Sequence, residues 1–244
     1  MPQTRRHDGR RPGELRPVTI TPGFVRTADG SSLIELGQTR VICTASIVEG
    51  VPRWRAGSGL GWLTAEYGML PASTSTRKAR PVHRPDSRSV EIQRLIGRVL
   101  RSVVRPEKLD EKTLYLDCDV LEADGGTRTA AITGAYVALA LAAARGVQRQ
   151  VLPRGVVRGS AAAVSVGILD GRAVLDLDYV EDAAAAVDMN VAMTGDGKFL
   201  ELQGTSEGKA FDAEELQEML RLARRGIRRL RQAQKRALAD GLKE

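Results

Sequence analysis

The stretch from Thr113 to Gly146, TLYLDCDVLEADGGTRTAAITGAYVALALAAARG, constrains this chain more than any other. Its first part alternates apolar and polar residues as a half-buried strand does, and its last part is Ala-rich and apolar, as a buried helix is. Asp124-Gly125-Gly126 between them leaves room for a turn only. The segment is therefore a strand, turn, helix unit, with a helix of about 16 residues expected to stop before Gly146. What this unit packs against has to come from the rest of the chain.

The flanking text supplies it. From Val18 to Val48 two alternating runs reverse at ELGQTR, an antiparallel β unit. Between Glu91 and Val104 the residues Ile92, Leu95, Ile96, Val99, Leu100 and Val103 follow helical spacing, which puts Arg94, Arg98, Arg101 and Arg105 on the opposite stripe. Further on, Asp170-Gly171 divides two strand-like runs and predicts a type I′ hairpin. A second pair turns at Gly195–Gly197. The chain closes with a helix from Ala213, where Asp212 and Glu215 are spaced as a capping box and Leu216, Met219, Leu220, Ala223, Ile227 and Leu230 form the buried face. Each half runs strands first and helix last. The expected fold is α+β, one domain over 1–244 built from an N-terminal αβ subdomain (15–146) and a C-terminal one (156–240).

Composition narrows what such a fold can do. With 42% hydrophobic residues in 244, a large core is available without staples, and 37 basic against 30 acidic residues give a net charge of +7, which favours a polyanionic partner. Cys43 and Cys118 both sit in apolar strands, as free thiols in a reduced protein do. No uncharged apolar run approaches the length of a membrane span, and the Arg-rich first 16 residues lack the apolar stretch of a signal peptide; they are expected to form an extended arm or an ordered surface loop. These readings lead to the expectation of a cytoplasmic protein with no membrane partner.

Two clusters carry candidate chemistry. At the 124–129 turn, glycines let the backbone approach a ligand, the helix start offers unpaired N–H groups, and Thr127 and Arg128 add a hydroxyl and a planar fork, so phosphate is the natural ligand. The spacing is not that of a nucleotide-binding P-loop. In the second cluster, Asp176, Asp178, Glu181, Asp182 and Asp188 crowd one segment. Period two places Asp176 and Asp178 on one face, while Asp182 and Asp188 flank an Ala-rich turn and could converge on a hard cation such as Mg²⁺. His7 and His83 stand in loop-like text, neither cysteine has a metal-ligand neighbour, and no GxSxG elbow occurs. Covalent Ser or Cys hydrolysis and zinc catalysis are thereby disfavoured. What remains is phosphoryl transfer by positioning and electrostatics.

Several long motifs go further. GSGLGWLTAEYGMLP (57–71), SVEIQRLIGRVLR (89–101), LDCDVLEADGGTRTAAITGAYVAL (116–139) and DYVEDAAAAVDMNV (178–191) resemble the bacterial ribonuclease PH family, as do ELRPVTI (14–20) and LQGTSEG (202–208). The resemblance spans nearly the whole chain. It implies the ribonuclease PH-type β-α-β-α fold of two similar αβ subdomains, a hexameric ring of dimers, and a phosphorolytic 3′-to-5′ exoribonuclease that trims tRNA precursors with inorganic phosphate as co-substrate. The same wider fold includes noncatalytic RNA-binding ring subunits. By motif, the resemblance makes Arg88, Gly126, Thr127 and Arg128 phosphate-binding, Asp182 and Asp188 the catalytic, Mg²⁺-associated carboxylates, and Arg77 and Arg80 tRNA-binding. Arg94 and Arg98 are added to the RNA surface from the basic stripe. Two departures stand out: Ala72 follows MLP where the family usually has Arg, and Asp86-Ser87 replaces the usual Gly-Gly before Arg88.

Overall fold

A computed structural model describes residues 6–80 and 86–243. Its elements, in chain order, are β1 (Val18–Pro22), β2 (Gly30–Leu36), β3 (Thr39–Glu49), β4 (Trp62–Met69), α1 (Ser87–Arg101), β5 (Lys112–Glu122), α2 (Thr127–Gln148), β6 (Ala161–Leu169), β7 (Arg172–Leu175), α3 (Tyr179–Ala184), β8 (Val187–Thr194), β9 (Phe199–Ser206) and α4 (Ala213–Gly241).

The strands form two sheets, one ordered β1-β2-β3-β5-β4 and the other β7-β6-β8-β9. All pairings are antiparallel except β4 with β5, which run parallel. Helix α2 is long and apolar enough by composition alone to cross a bilayer, yet it is mostly buried in the protein. It packs on β2, β3 and β5 of the first sheet and on β6 of the second, while α4 packs on β6 and β7 and reaches β1. The two halves therefore share one interior, where buried Ala161, Ala163 and Ala192 keep the second sheet small enough for α2 to lie against it. The second cluster, around Val164, Val166, Met189, Met219 and Ile227, belongs to α4 and its sheet.

Several sequence expectations meet the structure at this level. Both residues of the Asp170-Gly171 turn have positive φ (50° and 72°), as a type I′ hairpin requires, and Asp212 and Glu215 make the capping box that starts α4. Helix α2 does not stop before Gly146; it continues to Gln148. Gly146 serves packing instead of termination, since a Cβ there would lie 2.9 Å from both Ile47 and Leu152. Helix α1 begins and ends earlier than its apolar spacing suggests, at Ser87 and Arg101, because Asp86 caps it by accepting from the Ser89 backbone N–H. Arg105 lies beyond that helix, so the four-arginine stripe breaks. Arg101 stacks on Trp62, 4.6 Å from the ring centroid, and donates to the Leu63 carbonyl.

The first 16 residues differ most from expectation. From residue 6 on they are an ordered segment and not an extended arm, with two arginines turned inward: Arg6 and Arg16 are 8% and 5% exposed. The acids that receive them come from the segment after β7, a pairing across some 160 residues that no local pattern announces. Cys43 and Cys118 are both buried and free.

Candidate functional site

The parallel pair β4 and β5 sets the site. Because the two strands point the same way, the connections leaving their C-terminal ends emerge on one edge of the sheet, and each leads into a helix, α1 or α2. Helix N-termini carry partial positive charge and unpaired N–H groups. Arg88 and Arg128 are each the second residue of their helix. Two positive helix ends and two guanidinium groups thus meet at the place where open α/β sheets usually bind ligands.

The turn into α2 is held from behind. Gly125 and Gly126 both adopt left-handed conformations (φ 70° and 65°), and Gly126 caps α2 with no side chain covering the helix end. A Cβ on Gly125 would lie 2.6 Å from the Asp178 carbonyl carbon, so only glycine lets this turn lie against the acidic segment. Thr39 Oγ1 donates to the Gly125 carbonyl at 2.7 Å and accepts from the Asp124 N–H at 2.9 Å. Arg16 donates to the carbonyls of Asp124 and Leu177 (3.3 Å to the latter) while gripping Asp176. One buried side chain therefore joins the turn to the segment that leads into α3. With the carbonyls tied inward, the amides at the start of α2 are left for a ligand.

Three further contacts orient the front. The Tyr67 hydroxyl, 5% exposed, bonds Thr127 Oγ1 at 2.8 Å, and burial pushes its pKa up, against the pull of Arg88 and Arg128. Arg128 Nη1 donates to Glu91 Oε1 at 3.3 Å and to Gln203 Oε1 at 3.1 Å, and Gln203 Nε2 donates to the same Glu91 oxygen at 3.0 Å. That bracket uses one nitrogen of the fork and leaves the others toward the site. Tyr67, Glu91, Gln203 and Arg16 escape the sequence reading, although all four lie inside the quoted motifs; nothing in their local spacing separates them from strand or helix surface.

Asp182 lies on α3, and Asp188 on β8 opposite Gly167 and Thr205. Neither carboxylate has a hydrogen bond or ion pair with a described residue. Partial burial and then the Asp188 charge push the Asp182 pKa up, with Glu207 adding to this and Arg88 and Arg128 opposing it. Arg88 and Arg128 thus act on both Tyr67 and Asp182, Asp188 acts on Asp182, and Tyr67 holds Thr127, which places these groups in one neighbourhood. An all-oxygen pair of unpartnered carboxylates fits a hard cation such as Mg²⁺.

The other acids of the cluster face elsewhere. Asp176 is fully buried and takes both Nε and Nη2 of Arg16, at 3.0 and 2.8 Å. Glu181 takes both Nε and Nη2 of Arg6, and Arg10 reaches Asp176, Asp178 and Glu181 at 3.3–3.4 Å. His7, Asp178 and Glu181 form the one metal-like group among the described residues, but its carboxylates are already neutralised by arginines and His7 bonds Asp178 at 2.8 Å. A cation is not needed there. Burial opposes the charge of Asp178, which is 4% exposed, yet the Glu181 N–H and His7 hold its pKa below the usual carboxylate range.

The expected RNA contacts spread along the same edge and away from it. Arg77 and Arg80 are exposed on the connection after β4, as is Ala72. His83 and most of the unusual 81–87 segment lie outside the described residues. Arg94 is exposed and without a partner among the described residues, whereas Arg98 makes a two-pronged ion pair with Glu201 of β9, at 2.8 and 2.7 Å. Arg98 thus ties the two halves together at the surface.

A two-sheet α+β chain with arginine-bearing helix starts facing a carboxylate pair is a ribonuclease PH-type fold, and the comparisons agree. The sequence matches the 3′ exoribonuclease family, domain 1, over residues 14–144 and domain 2 of that family over residues 159–226. The chain belongs to this family. Similar solved structures include rice (Oryza sativa) Rrp46, at 18% identity over 96% of this chain and 100% of that one (TM-score 0.78). The Archaeoglobus fulgidus exosome with RNA bound to the active site is similar at 24% identity over 93% and 92% (TM-score 0.80), and an archaeal exosome core at 22% over 95% and 91% (TM-score 0.75).

Proposed function

We propose that this chain is a phosphate-dependent 3′-to-5′ exoribonuclease that shortens RNA ends, tRNA precursors among them, and releases nucleoside diphosphates. The observation that carries this reading is the placement of Arg88 and Arg128 at two convergent helix starts, across from Asp182 and Asp188. Inorganic phosphate is held by the two guanidinium groups, the Thr127 hydroxyl and the first amides of α2, as a nucleophile needs no activation beyond orientation in this chemistry. A phosphate oxygen bonds to the last internucleotide phosphorus while the bond to the 3′ oxygen of the preceding nucleotide breaks. The products are a nucleoside diphosphate and an RNA one nucleotide shorter. The leaving 3′ oxygen takes up the proton that the attacking phosphate gives up. Asp182 and Asp188 would hold Mg²⁺, which supplies charge neutralisation at phosphoryl oxygens. Arg77, Arg80 and Arg94 extend a basic track for the RNA backbone, and the working form is a homo-hexameric ring.

The deciding assay incubates a tRNA bearing extra 3′ nucleotides with Mg²⁺, with and without inorganic phosphate. Phosphate-dependent release of nucleoside diphosphates is expected. Nucleoside monophosphates would mean hydrolysis. A second reading, a noncatalytic RNA-binding subunit, draws on the likeness to exosome subunits and requires RNA binding with neither product; the unpartnered acid pair and the free fork of Arg128 favour catalysis.

A further inference from the structure

A second opening lies at the other end of β8. Asp188 is near the start of that strand and Thr194 ends it, six residues on, or about 20 Å along an extended chain. There the turn after β8, the C-terminal half of α4 and the middle of α2 enclose a cleft of about 570 Å³. That volume suits a small organic molecule and far exceeds a lone ion.

The cleft is cationic and chemically unfinished. Arg158, Arg231, Lys235 and Lys198 line it, and its one acid, Asp196, is paired with Lys198 at 3.2 Å. Arg231 makes no hydrogen bond or ion pair with a described residue, although its Nε is shut off from solvent. Three residues further along α4, Gln234 is 1% exposed. Its Nε2 donates to the carbonyls of Thr133 and Ala161, both at 2.9 Å, which locks the amide so that Oε1 has no donor. A buried donor and a buried acceptor left open on one wall are each unfavourable, a penalty a ligand or ordered water removes. Tyr136 of α2, 7% exposed, adds a hydroxyl beside Arg231. Gly195 keeps the mouth clear: a Cβ there would stand 2.4 Å from Ser160 Oγ and 3.1 Å from the Arg231 guanidinium.

We propose that this cleft is a second ligand site, separate from the Arg88/Arg128 opening, that takes a small phosphorylated molecule of mononucleotide size. Arg231 and Lys235 meet the phosphate, and Gln234 Oε1 accepts from an N–H or O–H of the base or ribose. An extended RNA strand fits less well, because the unmatched atoms, Arg231 Nε and Gln234 Oε1, lie close together on one wall of a half-open cleft and not along a groove.

The test is equilibrium dialysis of the full chain with ADP in an Arg128→Ala background, which sets the first opening aside whatever its role. One ADP per chain is expected to remain. Adding Arg231→Met, which keeps the length of the stem, should weaken it at least about tenfold, the value of one charge-assisted contact. Lys235→Met, at an exposed position, should weaken it less and provides the reading if Arg231→Met fails to fold. Inorganic phosphate should bind much more weakly than ADP. The proposal falls if the Arg128→Ala protein binds no ADP, if neither α4 substitution changes its binding, or if phosphate binds as well as ADP. It falls equally if a single-stranded oligoribonucleotide needs Arg231 while ADP does not bind.

Discussion

Glu181 and Asp182 are neighbours in sequence and opposite in fate. Glu181, with Asp176 and Asp178, faces a buried knot of Arg6, Arg10 and Arg16 in which every carboxylate has a cationic partner. Asp182, with Asp188, faces an opening where Arg88 and Arg128 stand near but form no ion pair with either acid. The two clusters use the same residue types and part between two consecutive residues of α3. In the first, charges are matched and the result is architecture; in the second they are held apart, and what is left over is capacity for a ligand. Arg16 connects them, since it belongs to the knot yet also grips the carbonyls behind the α2 turn.

The contrast predicts opposite responses to substitution, and the largest effect belongs to the knot. Arg16→Ala leaves Asp176 buried without its partner, and should cost about 3–5 kcal/mol in urea unfolding. Stability within about 1 kcal/mol of the parent would show that the knot does not hold the fold. Arg128→Ala should do the reverse: unfolding stays nearly unchanged, while turnover falls on the order of 10²–10³-fold and the phosphate requirement rises, as expected for loss of one preorganised donor. An unchanged phosphate dependence in the folded variant would remove Arg128 from the site.

Asp188→Asn sharpens the comparison from the acid side. It relieves like-charge repulsion on Asp182, so stability should hold or rise by a few tenths of a kcal/mol, while turnover is lost over a full Mg²⁺ titration and RNA binding is kept. Near-normal activity in that variant would separate the acid pair from catalysis. The pH response follows from the same pair. Because the Asp182 pKa is raised, its carboxylate takes up a proton at higher pH than an ordinary aspartate, and cation binding should weaken on acidification before the knot is affected. The lowered pKa of Asp178 sets the opposite order: the stability it contributes is complete above the ordinary aspartate range and disappears only as pH falls through its depressed value. Parallel titrations of activity and of thermal stability check this, and coincident midpoints would contradict it. The smallest effect concerns the loop after β4. Ala72→Arg should strengthen tRNA binding and steepen its log–log salt slope by roughly 0.7–0.9, one phosphate contact, with short-oligomer turnover constant. No change at any salt concentration would place position 72 away from the RNA.

The phosphate side of the site was more legible than the acid side for a physical reason. Gly126, Thr127 and Arg128 are contiguous, and a strand, a glycine turn and a helix start impose their geometry locally. The acids are also close in sequence, but the direction each one faces depends on what packs behind it. Period two does not hold for Asp176 and Asp178, because β7 ends at Leu175 and Asp176 has φ 60°; both acids meet Arg10 from the first residues of the chain through a turn that no strand pattern describes. For the same reason the Arg-rich start reads as a surface arm or loop, when Arg6 and Arg16 are turned inward. Arg98 looks like free polyanion surface until β9 brings Glu201 against it.

From its sequence alone this chain is committed to two strand-then-helix halves, a buried central helix, the hairpin at Asp170-Gly171, the capped terminal helix and a phosphate-suited turn before α2. Each of these rests on interactions within a few residues, where hydrophobic period, glycine and capping side chains act directly. Only the tertiary structure decided that β4 and β5 run parallel, so that two helix starts share one edge, and that five neighbouring acids divide into a neutralised knot and an open pair. Those outcomes depend on contacts between residues from about fifty to more than a hundred and seventy positions apart, where charge and burial are set by the partner that the fold delivers and not by the neighbours that the chain supplies.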